Sequence, residues 1–211
     1  MKRKIVGLAI ALMASAALAS IALAGNAMAQ ETGTPVFKSP YRSFVSNEYG
    51  LTFSDPGGAD WALEGFYGYG RERWDIGLRA GLVDAGDETG FVVGGSARTR
   101  VLQSSESFPL DGALTLGVGA RFSDDFTSFF IPIGVSLGRR VRLEGSETSF
   151  VPYLHPVVVP VLGDDVGDDD VLIALGLGVD IKFSRSFDVR VAGAIGDDLY
   201  EGVSIGLAFI R

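Results

Sequence analysis

The chain has 211 residues, 47% apolar and 21% charged, with 29 Gly, 8 Pro, no Cys and one His. Without Cys there is no disulfide scaffold, thiolate metal site or Cys nucleophile, and one His excludes a His-cluster metal site. A formal charge of −8 lacks the basic footprint of a nucleic-acid binder, so no nucleic-acid partner is expected.

Mean hydropathy is high, at +0.28. Yet past residue 30 no run of 18 apolar residues would make a membrane helix. The first thirty residues explain part of the greasiness. Lys2, Arg3 and Lys4 form a positive start, Ile5 to about Ala24 an apolar stretch, and Ala27-Met28-Ala29 a small-x-small cleavage site. This pattern predicts a cleaved secretory signal peptide over 1–29. Its removal takes away three basic residues and no acid, leaving a charge of −11. Without a lipobox Cys, no lipid anchor is expected. Residues 30–47 are polar, Pro-containing and aperiodic, and read as an extended N-terminal segment.

Beyond them the chain alternates with period two, the signature of strands with one apolar face. A short run at 48–54 comes first, then a weaker one at 60–70. In 73–83, Trp74, Ile76, Leu78, Ala80 and Leu82 alternate with Asp75, Gly77, Arg79 and Gly81. After a weaker run at 88–101, Leu114, Leu116, Val118, Ala120 and Phe122 alternate with Thr115, Gly117, Gly119 and Arg121 in 111–122. Strands over 128–139, 149–161, 171–183, 187–196 and 201–210 complete the set. No helical period occurs past residue 30, and no linker divides 48–211. The longer runs, about 10–13 residues, exceed the roughly 5–6 of ordinary strands and match the roughly 9–11 of a tilted strand crossing a bilayer. The expected fold is all-β: one up-and-down antiparallel transmembrane β-barrel over 48–211, of ten strands, with eight as the alternative.

Three features indicate that the apolar rows face lipid. The opposite rows are Gly, Ala and Ser with scattered Arg and Asp, unlike a water-facing surface. Glycine inside a strand needs a close approach to justify it, and a crowded lumen supplies one. Aromatic residues gather near both strand ends: Trp61, Phe91, Phe122 and Phe129 at one, Tyr69, Trp74, Phe183, Phe187 and Phe209 at the other. Alternate connectors also differ in charge. Those at 54–60, 84–88, 123–128, 163–170 and 196–201 hold 15 of the 26 acids and no Lys or Arg, while 70–73, 102–110, 140–148 and 184–186 carry Arg as well. An up-and-down meander with an even strand count sorts its turns this way, and closing it satisfies every backbone group.

In this pattern, and in the terminal strand Val203-Ser204-Ile205-Gly206-Leu207-Ala208-Phe209, the chain resembles the small bacterial outer-membrane β-barrels of the OmpA/OmpX type. It departs from them in that Ile210 and Arg211 follow the last aromatic. The resemblance implies a monomer in outer-membrane lipid, folded by the barrel-assembly machinery, with both termini periplasmic and the acidic loops outside.

Strand parity places Glu64, Asp75, Arg79, Arg98, Arg100, Arg121, Asp180, Lys182, Asp188 and Arg190 in the lumen. Buried charges must pair, so an internal ion-pair network that plugs the barrel is expected, with a narrow pore as the alternative. Asp164, Asp165, Asp168, Asp169 and Asp170 are hard oxygen ligands, but their spacing is not that of a calcium loop; a solvated loop is expected, with calcium a weak candidate. Pro152, Pro156 and Pro160 recur every fourth residue, so their missing N–H groups all face one neighbouring strand. With Pro132 they mark a weak seam, either without function or a lateral opening for a lipid. His155 lies in the same strand near Tyr153 and Ser149, without a nucleophile motif, and no catalytic role is expected. The function expected is a non-enzymatic barrel with a structural or surface-interaction role, or a narrow porin-like channel, needing no cofactor. The alternatives are a secreted soluble barrel for an apolar ligand and a lipid-modifying barrel with lateral access.

Overall fold

In the computed structural model, which describes residues 31–40, 46–86, 88–124, 127–163, 171–196 and 201–211, the alternating runs become strands of one closed antiparallel sheet. The expected signal peptide, 1–29, lies outside the described residues. The strands are β1 (Glu48–Pro56), β2 (Trp61–Arg71), β3 (Trp74–Asp84), β4 (Thr89–Leu102), β5 (Asp111–Phe122), β6 (Thr127–Phe130), β7 (Ile133–Gly138), β8 (Val141–Arg142), β9 (Ser149–Gly163), β10 (Val171–Lys182), β11 (Phe187–Gly196) and β12 (Gly202–Ile210). Successive strands pair as a meander. β12 closes the cylinder on β1, from Glu48 opposite Ile210 to Pro56 opposite Gly202. Asn47 and Arg211 exchange backbone hydrogen bonds of 3.0 and 2.8 Å just beyond this ladder.

β6, β7 and β8 are three pieces of one wall strand. Phe130 faces Val161, Ile133 faces Val158, Gly138 faces Tyr153 and Val141 faces Phe150, all in one register along β9. The wall therefore has ten strands, and the eight-strand alternative falls. The two breaks lie opposite Pro160 and Pro152, and within β7 the pairing skips Val135, opposite Pro156. Each proline accepts but cannot donate, so its partner on the facing strand keeps at most one of the two bonds of an antiparallel pair. The amides of Ile131 and Arg139 donate to the carbonyls of Pro160 and Pro152, at 3.0 and 3.2 Å. Toward β10 the same strand presents its odd residues, none of them proline, and that ladder runs unbroken from Val171 opposite Pro160 to Lys182 opposite Ser149. The seam expected from the prolines thus lies on the β7 side of β9.

Polarity is inverted relative to a water-soluble protein. Leu78, Val118 and Ile173 are about 60% exposed on the outer face, whereas Glu64, Asp75 and Asp180 are fully buried inside. Period two turns alternate residues outward, and most large apolar side chains lie on that row, while Val83, Val92, Val157 and Val159 face inward.

The two mouths differ in chemistry. One collects the turns bearing Asp55, Asp60, Asp84, Glu88, Asp124 and Glu201; it is called here the acidic mouth. The other collects Arg71, Arg73, Arg142 and Arg185, and it also holds the start of β1 and the end of β12. Near this arginine mouth Tyr49 stacks on Phe209 with ring centroids 5.7 Å apart, Phe187 adjoins Phe209 at 5.4 Å, and Tyr69 adjoins Trp74 at 6.1 Å. Near the acidic mouth Phe91 pairs with Phe122 across β4 and β5.

Candidate functional site

The lumen holds a piece of the chain itself. Residues 31–40 run inside the cylinder and every one of them is buried. Glu31 lies against Gly94, Gly117 and Gly119, toward the acidic mouth. Ser39 lies at the other end, its hydroxyl donating to Asp180 at 2.5 Å and its carbonyl accepting from Arg98 at 2.7 Å.

The inward glycines are the floor on which this segment rests. A Cβ on Gly94 would lie 2.8 Å from the Glu31 Cβ, and one on Gly119 would lie 2.6 Å from the Glu31 carbonyl carbon. Gly176 similarly leaves room for the Phe37 ring, since a Cβ there would stand 2.6 Å from its Cγ. Side chains of any size at these positions would exclude the segment.

The wall grips the main chain. The carbonyl of Pro35 accepts from Ser204 at 2.8 Å, that of Phe37 from Tyr153 at 3.0 Å, that of Lys38 from Ser136 at 2.8 Å and that of Ser39 from Arg98 at 2.7 Å. The Val36 carbonyl completes the row with a longer contact, 3.5 Å, from Arg79. Five consecutive carbonyls are thus met by five different strands: β12, β3, β9, β7 and β4. Side chains add selectivity. Thr34 donates to Glu64 at 2.6 Å, and the Phe37 ring meets the His155 ring edge-on, centroids 5.4 Å apart at 70°. Beside the segment lie two cavities of about 10 Å³ each, lined among others by Lys38, Arg98 and His155 in one and by Phe37, Phe66 and Arg190 in the other. Each has room for about one water molecule.

The residues placed in the lumen by parity are there. Glu64 pairs with Arg79 at 3.3 Å and Asp75 with Arg98 at 2.9 Å, in neighbouring or facing register. Asp180, Asp188 and Arg121 are buried, and Asp180 is tied to the segment through Ser39. Arg100 and Lys182 are half-buried near the arginine mouth. Arg190 finds a partner that parity did not supply: both its terminal nitrogens meet the Glu48 carboxylate, one at 3.2 Å. Glu48 opens β1, separated from β11 by β12 alone, and the signal that turns it inward is its alternation with Tyr49, Leu51 and Phe53 in a short run. Glu31 and Lys38 were hidden in a stretch without periodicity.

His155 shares a hydrogen bond of 2.9 Å with Thr115 through its Nε2. The two belong to strands separated by β7, and the ring reaches over Gly134, where a Cβ would stand 2.7 Å from Nε2. The proline seam therefore backs onto an occupied lumen, with His155, Ser136 and the segment directly behind it. Pro152, Pro156 and Pro160 face outward, while Pro132 is buried and its carbonyl accepts from Gly117 at 2.8 Å. The acidic stretch with Asp164, Asp165, Asp168, Asp169 and Asp170 lies outside the described residues. Among the described residues no group of three or more His, Asp or Glu is placed to hold a metal ion.

No protein-family model matches the chain, and no curated protein matches it. Solved structures do. The β domain of the Bordetella autotransporter BrkA aligns at a TM-score of 0.51 with 14% identity, over 79% of this chain and 99% of that one. LpxR from Salmonella typhimurium aligns at 0.46 with 8% identity, over 78% and 100%. A de novo designed transmembrane β-barrel aligns at 0.38 with 15% identity, over 79% and 96%. At such identities the likeness is one of fold, and the fold that this chain shares with the BrkA domain is a closed antiparallel β-barrel.

Proposed function

We propose that this chain is a non-enzymatic β-barrel of the bacterial outer membrane, closed to ions, with a structural or surface-interaction role. The observation that carries the reading is the pairing of an apolar outside with a filled inside. Outward rows such as Leu51, Ile76, Leu116 and Ile205 are about half exposed, an arrangement that hydrocarbon tolerates and water does not. Inside, the buried segment and the ion pairs occupy the space a channel would need. A secreted soluble barrel for an apolar ligand would need the reverse: a dry apolar lumen and a polar surface.

The likeness in pattern to OmpA/OmpX-type barrels and the fold shared with the BrkA β domain both favour export and outer-membrane residence. A cleaved signal peptide, monomeric state, insertion by the barrel-assembly machinery and the absence of a cofactor belong to the same reading. Its test has two arms. Membrane fractionation is expected to place the protein with outer-membrane lipid, and the folded form to resist sodium dodecyl sulfate until boiled. In planar bilayers the purified barrel is expected to be silent. Steady, large conductance would overturn the closed reading, and recovery from the soluble fraction would overturn the membrane one.

A further inference from the structure

We infer that the lumen is a binding site for a short polypeptide segment, and that residues 31–40 are its ligand rather than a fixed part of the wall. The argument starts from what the wall recognises. Ser204, Arg79, Tyr153, Ser136 and Arg98, from five strands, address consecutive carbonyls from Pro35 to Ser39. A wall that merely needed filling would do so with its own large side chains, as small barrels do. This one instead presents glycine along β4 and β5 where Glu31 passes, and on β10 where Phe37 passes. It is built around main chain it does not itself contribute.

The segment has no regular backbone pairing to any strand, and within it only the Val36 amide bonds to the Thr34 carbonyl, at 2.8 Å. Its hold on the wall therefore rests on side chains that meet backbone, a mode that fixes register. Side-chain preference is superimposed: a hydroxyl at position 34 for Glu64, an aromatic ring at 37 for the space over Gly176 and a hydroxyl at 39 for Asp180. The ligand class is thus a short peptide reading hydroxyl, two intervening residues, aromatic, one intervening residue, hydroxyl. This inference does not depend on where the barrel resides, and it is tested in detergent.

The test uses the full chain with a protease recognition sequence inserted between Pro40 and Ser46. The folded protein is cut, and the piece ahead of the cut is followed by gel filtration and mass spectrometry. The piece is expected to co-elute with the barrel and to leave slowly. Single removal of a wall hydroxyl, by Tyr153→Phe, Ser136→Ala or Ser204→Ala, is expected to speed its release about two- to tenfold, the worth of one hydrogen bond. Each uncut variant is first shown to keep its resistance to sodium dodecyl sulfate, which separates loss of grip from loss of fold. Immediate release from the cut wild-type barrel would overturn the inference, because the covalent link alone would then hold the segment. Retention that none of the three variants alters would also overturn it, because the piece would then be trapped rather than bound.

Discussion

The amide of Ile131 donates to the carbonyl of Pro160 at 3.0 Å, and Pro160 has no proton to return. The same one-way bond joins Arg139 to Pro152. A carbonyl left unmet away from water costs roughly 1–3 kcal/mol. That exceeds the roughly 0.4–1 kcal/mol by which proline restricts the unfolded chain. Pro160→Ala and Pro156→Ala are therefore expected to raise the urea midpoint of the barrel in detergent. They should also slow amide exchange along β7 and leave β10 unchanged. A lower midpoint for both would show that the prolines stiffen the wall rather than weaken it.

The buried pairs make a second expectation. Asp75 and Arg98 meet at 2.9 and 3.0 Å with neither exposed. Removing one partner strands the other. Asp75→Leu and Arg98→Met alone should each cost roughly 3–5 kcal/mol, and the two together should cost much less than their sum. Unfolding midpoints of the two single variants and the double variant measure this directly. Additive losses would mean that the pair is not coupled.

Glycine offers a contrast within one barrel. On Gly119 a Cβ would stand 2.6 Å from the Glu31 carbonyl carbon and 2.8 Å from the Val93 carbonyl oxygen, both backbone. On Gly65, which faces outward, the nearest atoms would be 3.8 and 3.9 Å away. Gly119→Ala is expected to lower stability by about 1–3 kcal/mol, or to expel the segment and admit current. Gly65→Ala should stay within about 0.5 kcal/mol of the parent. Equal effects at the two sites would contradict an occupied lumen.

The likeness to OmpA/OmpX-type barrels implies an orientation, with the acidic mouth outside. The chain has no cysteine, so single thiols report cleanly. Asp60→Cys at the acidic mouth should react with a membrane-impermeant maleimide on intact cells, and Ser186→Cys at the arginine mouth only after the envelope is opened. The opposite result would invert the barrel.

The wall was legible in the sequence because each of its rules is local. Trp74 to Leu82 and Leu114 to Phe122 declare their outward face by alternation alone, and the same parity put Asp75, Arg98 and Asp180 inside. Proline at every fourth position of β9 told that one ladder would break and the other hold, since hydrogen-bonding direction also alternates. The contents of the lumen were not legible. Residues 31–40 obey no period, because each is surrounded on all sides and has no solvent or lipid face to alternate with. The inward glycines did record that something approaches them, but not that Glu31 and Phe37 are what approaches. Glu48 was missed for a related reason: its partner Arg190 comes to it only when the last strand closes on the first.

Ten strands alone would return the chain to the side from which it set out. The inner pass from Glu31 to Pro40 adds an eleventh traverse, and an odd number leaves the two ends apart. Arg211 closes on Asn47 at one rim, while Glu31 sits toward the other. A label on Glu31 and a label on Arg211 would accordingly report from opposite ends of a filled lumen.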